Sequence, residues 1–274
     1  YPESWQAYLN EVRQSSADIP PSILATFLGD FQDTKPPEEL KEALSQILKR
    51  AKWQFEMSME MLNHTADCRF FYFEALDQIQ HLANRFLPAD KQNQAIPEMI
   101  RAAYRLHDAM LGSILSRAEG HNIFLLSDHG FDASAERQKE LPNIPAAPAS
   151  EHKPYGVFIG AGPDLKAKAN LFGLSLLDLA PSLLHHFQIP LGKDLPGRVA
   201  LNLFKKRRPL SFIPSWNGLT KTQFVATADH LPQDMLRDLE ALEYIDLKQE
   251  QAGDFIREEQ DYNQAISLKE TGAY

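Results

Sequence analysis

Residues 122–131 read NIFLLSDHGF: a strand-length apolar run, Ile123 to Leu126, that stops at Ser127 and delivers an acid and an imidazole side by side, Asp128 and His129. An apolar run this short, bounded by turn residues, reads as a buried strand, and a buried strand requires a sheet with covering layers. Its surroundings narrow the choice further. Ile96 to Ala118, IPEMIRAAYRLHDAMLGSILSRA, repeats its apolar residues three and four apart, as an amphipathic helix does. Two more compact runs, CRFFYFEAL (68–76) and YGVFIGAGP (155–163), read as strands. SLLDLAPSLLHHFQI (175–189) reads as a helix with Ser175 as N-cap, Asp178 completing a capping box, and Pro181 in its first turn or at a kink. Strands alternating with helices predict an α/β fold whose central sheet is mostly parallel and flanked by helices.

The first third of the chain has a different texture. Residues 1–66 read as helical with breaks: SWQAYLNEVRQ is a short amphipathic segment, and IPPSILATFLGDF places prolines at a helix start. Residues 36–64 form a long stretch of helix formers. This region is expected to be a helical insertion or cap, followed by an α/β domain over 67–210 and a C-terminal extension over 211–274. Residues 132–154, rich in Ala and Pro, read as a loop. The chain starts at Tyr1 without methionine, and DYNQAISLKETGAY at its end resembles the opening of a tetratricopeptide-type repeat. A piece of a longer protein is therefore expected, with a protein partner engaged through repeats; an ordinary terminal helix is the other reading.

Composition excludes several classes. A net charge of −9 gives no broad positive field for a nucleic-acid polymer, and the one basic run, KKRRP at 205–209, reads as a solvated segment edge. No stretch approaches the roughly 20 apolar residues of a membrane span. Cys68 is alone, so there is no internal disulfide, and its apolar neighbours suggest a small core residue.

The polar residues of interest fall where the apolar runs end. After 68–76 come Asp77 and His81, one helical turn apart; after 123–127 come Asp128 and His129; just before 155–163 comes His152. Ligand sites in open α/β sheets lie beyond the carboxyl ends of strands, and these residue types bind zinc and similar ions. Each alone has a plainer reading: a helix-start acid with a surface partner, a turn, a loop histidine. Three successive strand ends, each carrying a ligand-type residue, favour a shared metal site. The remaining histidines are set aside, with His107 and Asp108 read as an exposed pair, and His185 and His186 as core edge or surface.

At these residues the chain resembles the alkaline phosphatase superfamily, and within it the type I phosphodiesterase/nucleotide pyrophosphatase branch. The resemblance rests on YFEALDQIQH, YRLHDAMLGSILSRAEGHNIFLLSDHGF, EHKPYGVFIGAGP and LLDLAPSLLHHFQIPLGKDLPGR, in that order, and covers about 68–204. It implies two divalent metals, zinc with manganese or iron as alternatives, at the carboxyl edge of a central sheet. Asp77, His81 and His152 would hold one; Asp128 and His129 would supply part of the other. The family's remaining aspartate and its Thr or Ser nucleophile have no counterpart in this sequence: Gly29-Asp30 reverses the expected order, and Thr26 and Thr65 lack the family's surroundings.

The resemblance thus implies a phosphoric ester hydrolase acting on a small phosphate-ester substrate, with weak or no turnover by this chain alone. Two alternatives remain open. One is another superfamily member of the sulfatase or phosphoglycerate mutase type; the other is a non-catalytic metal-binding module.

Overall fold

The structure is a computed structural model describing residues 19–32, 34–87, 96–132 and 147–217. In chain order its elements are α1 (Pro21–Phe27), α2 (Glu38–Met61), α3 (Ala75–Phe86), α4 (Glu98–Leu115), β1 (Ile123–Ser127), β2 (Gly130–Phe131), β3 (His152–Lys153), β4 (Val157–Ala161), α5 (Leu179–His186), β5 (Leu191–Gly192) and β6 (Phe212–Ile213). The chain divides into two units, one of residues 1–117, 131–153 and 228–274, the other of 118–130 and 154–227. The segment 4–14 and the repeat-like end at 261–274 lie outside the described residues.

In the first unit, α1 to α4 pack around one apolar core. Leu40, Leu44, Ile47, Leu48 and Ala51 of α2 meet Ile79, Leu82 and Ala83 of α3 and Met99, Ile100 and Ala103 of α4. Their three- and four-residue spacings put them on single helix faces. The N-caps of α1, α2 and α4 are Pro20, Pro37 and Pro97, whose rings carry no side-chain acceptor for the first amides. For α4 the acceptor comes from elsewhere: Asp30 Oδ1 takes the Glu98 N–H at 3.1 Å and Oδ2 the Met99 N–H at 2.9 Å. Gly29 lets this approach happen, since a Cβ there would stand 3.3 Å from Glu98 Cβ. At the other end of α2, Arg69 donates through Nε to the Met61 carbonyl at 3.1 Å and through Nη2 to that of His64.

The second unit holds β1 and β4, paired antiparallel from Ile123↔Ala161 to Ser127↔Val157. Phe124 and Phe158 pack with Leu165, Leu203 and Phe204 in a small core. Gly156 is required where β4 begins, because a Cβ there would lie 1.9 Å from the Ser127 carbonyl oxygen. Ser175 and Asp178 form the expected capping box ahead of α5. Asp178 Oδ2 accepts the Ser175 N–H at 3.0 Å, and its other oxygen accepts the Arg198 N–H at 2.7 Å. Pro181 sits in the first turn of α5, where its missing N–H costs nothing.

The fold is α/β, but a mostly parallel central sheet is not what the described strands form. The longest pair, β1 with β4, is antiparallel, and only the two-residue pair β5–β6 is parallel. The expectation took 68–76 as one strand of the sheet and required helical crossovers between successive strands. Residues 68–74 form no strand: Phe70 and Tyr72 are exposed, and α3 begins at Ala75. Between β1 and β4 the described residues hold a 3-10 turn at Ala147–Glu151 and the short strands β2 and β3. Cys68 is likewise exposed rather than a core residue.

Candidate metal centre

Helix α3 positions the first two candidates. Asp77 lies in its first turn, where a carboxylate is favoured by the helix N-terminus, and His81 follows one turn later on the same face. His152 opens β3 and reaches the same place. His81 Nε2 lies 3.5 Å from Asp77 Oδ2, His152 Nε2 lies 3.4 Å from Asp77 Oδ1, and the two Nε2 atoms are 3.1 Å apart. Ligands bound tetrahedrally at about 2.0–2.1 Å stand roughly 3.3–3.4 Å from one another. Each of the three separations, two of them to different oxygens of Asp77, is close to that edge length.

Electrostatics says the same. Burial by itself would raise the Asp77 pKa, yet hydrogen bonds from His152 and His81 outweigh it and hold the carboxyl well below the usual carboxylate range. Burial would lower the His81 pKa, but Asp77 and Glu151 together raise it to about 9. Two carboxylates thus favour positive charge on this side of the cluster.

Two further residues complete the surroundings. Glu151 Oε2 meets His81 Nδ1 at 2.5 Å, and its Oε1 accepts from Asn84 Nδ2 at 2.9 Å. Phe131 stands edge-on to the His81 ring, with centroids 4.8 Å apart. Sequence reasoning overlooked Glu151, Asn84 and Phe131. The available signal was an acid adjacent to His152 and an amide one turn beyond His81.

Asp128 and His129 belong to the second unit, just past β1. The His129 Nδ1–H donates to the Gly130 carbonyl at 3.0 Å. Ser127 Oγ donates to the His129 carbonyl, fixing the turn that carries the pair. Asp128 is largely exposed.

Three of the histidines set aside have structural partners. His107 is no exposed ion pair: it is partly buried, donates through Nδ1 to the Ala103 carbonyl at 2.8 Å and stands edge-on to Phe73. His185 is buried against Phe204, and His186 stacks on the same ring. Three residues of the basic run have local partners. Lys205 reaches the Pro163 carbonyl at 2.6 Å, Arg207 the Asn202 amide oxygen at 2.9 Å, and Arg208 the His186 carbonyl at 3.1 Å. No described helix is long and apolar enough to cross a membrane.

A family model described as type I phosphodiesterase / nucleotide pyrophosphatase matches residues 3–206. No curated protein and no solved structure matches the chain. The match spans Asp77, His81, the Asp128-His129 pair and His152, and on it the chain belongs to the type I phosphodiesterase / nucleotide pyrophosphatase family, within the alkaline phosphatase superfamily.

Proposed function

We propose that the chain carries metal-binding machinery of a phosphoric ester hydrolase of the phosphodiesterase/pyrophosphatase type. The reading gives Asp77, His81 and His152 one divalent cation, zinc by the mixed oxygen and nitrogen donors, and gives Asp128 and His129 a share in a second. The observation that carries it is the convergence of Asp77, His81 and His152 at separations of 3.1–3.5 Å, in a chain of this family. Bound divalent cations would supply Lewis acidity toward phosphoryl oxygens and lower the pKa of an attacking hydroxyl.

The chain's own residues have narrower roles. Asp77 brings negative charge to a helix start, so that a cation there is neutralised in part by the protein. His81 and His152 present Nε2 atoms from a helix and a strand, elements stiffer than loops. The family's Thr or Ser nucleophile is not among the residues this reading assigns, so turnover by this chain alone is expected to be weak. The substrate class is a small phosphate ester.

The experiment has two arms. Purified chain is loaded with zinc or manganese, its bound metal is quantified, and hydrolysis of a p-nitrophenyl phosphodiester is followed. About one tightly held cation with little turnover is expected. No metal retained at micromolar concentrations would overturn the reading. Robust turnover would instead show that the nucleophile lies within these residues.

A further inference from the structure

We propose that Glu151 is the positioning residue of this centre, holding His81 with Nδ1 turned away and Nε2 presented to the cation. The inference rests on the metal-centre reading above and adds a residue to it. Four observations carry it, all within one unit.

Both carboxylate oxygens of Glu151 are committed: Oε2 to His81 Nδ1 at 2.5 Å, Oε1 to Asn84 Nδ2 at 2.9 Å, with the side chain only 11% exposed. His81 and Asn84 are three residues apart on α3 and share a face, so one carboxylate reads both. The backbone beneath is pinned as well. The Glu151 carbonyl accepts the Asp132 N–H at 2.7 Å, and Asn84 Nδ2 also donates to the Asp132 carbonyl at 3.2 Å. Phe131 closes the ring edge of His81 at 4.8 Å between centroids. Asn84 thus ties together the carboxylate and the strand end that bear on His81.

The chemistry requires a carboxylate. An imidazole bound to a cation through Nε2 keeps its proton on Nδ1 and is a donor there; the Asn84 amide nitrogen is a donor too. Glutamate offers an acceptor to each. Glutamine offers one acceptor and one NH2, so one of the two donors would face another donor. A carboxylate behind a metal-bound imidazole also raises its basicity, and losing such a partner commonly costs 10–100-fold in metal affinity.

The test is Glu151→Gln in the full chain, read by zinc affinity in competition with a chelating indicator, by thermal unfolding, and by the ¹⁵N resonances of the His81 ring. Zinc affinity is expected to fall about 10–100-fold, and the His81 resonances to move from one Nδ1–H tautomer toward a mixture. A Glu151→Gln protein with unchanged zinc affinity and an unchanged His81 spectrum overturns the inference, as does a lowered Tm with unchanged affinity, which marks a purely structural carboxylate. Wild-type chain that binds no zinc sinks the metal-centre reading itself, a different failure. Should Glu151→Gln not fold, Asn84→Ala decides: it leaves the carboxylate on His81 but loosens it. A several-fold loss of zinc affinity supports the inference, and none overturns it.

Discussion

At the residue scale, the centre is a balance of charges sharing a small volume. His81→Ala and His152→Ala each remove a donor outright, and each is expected to lower zinc affinity by more than 100-fold, beyond the roughly 10–100-fold cost of disturbing an outer partner. Equilibrium dialysis against buffered zinc measures this, and affinity within about threefold of wild type for either variant would count against their role as donors. His107 makes a pH prediction in the first unit. Burial pushes its pKa below the ordinary 6.5, opposed only by the bond to the Ala103 carbonyl. A lowered folded-state pKa means the unfolded chain takes up the proton first. The contribution of neutral His107 is therefore complete above about pH 6.5 and is lost as pH falls through the folded-state value. Each tenfold difference in proton affinity corresponds to about 1.4 kcal/mol. Urea unfolding at pH 7.5 and 5.0 should show wild type losing more stability than His107→Leu; equal losses would mean the ring is hydrated.

At the scale of elements, three helix starts rely on proline, and one of them borrows its cap. Asp30→Ala strips acceptors from the first two amides of α4 and is expected to cost about 1–2 kcal/mol in a urea melt. Asp30→Asn keeps one oxygen and should cost less. If both are neutral, water satisfies those amides and the borrowed cap contributes nothing. Gly156→Ala is the harsher change. Its Cβ would meet the Ser127 carbonyl oxygen at 1.9 Å, and both are backbone-bound, so β1 and β4 must separate locally. A loss of about 3 kcal/mol or more is expected, at the upper end for overpacking. A melt within 1 kcal/mol of wild type would refute that β1–β4 register.

At the scale of the whole molecule, metal and stability should be linked. A cation bound by the folded chain alone, at 100 times its Kd, stabilises by about 2.7 kcal/mol. Chelation is thus expected to lower Tm by a few degrees, and adding zinc back to restore it. A Tm indifferent to chelator would mean that no cation binds the native chain. Much of this was legible in the sequence: α2, α4, β1, β4 and the capping box at Ser175 fall where periodicity and turn chemistry place them. Asp77 and His81 were legible as a helical pair because the spacing of four is a local property of the backbone. The aromatic run at 68–74 misled because β-formers report only a preference for pleated surfaces; among the described residues it pairs with no strand, and Phe70 and Tyr72 are exposed.

The sequence alone determined which residue types are available and how far apart along the chain they stand. It identified the family and named Asp77, His81, Asp128, His129 and His152 as candidates, since spacing and order survive without coordinates. Only the tertiary structure decided strand direction, because antiparallel pairing of β1 with β4 depends on the route of the chain between them. Only it brought Glu151 against His81 and Asn84, 70 and 67 residues away along the chain. Hydrogen bonds across such separations leave no periodic trace in a sequence; they exist once a helix face and a strand end have packed together.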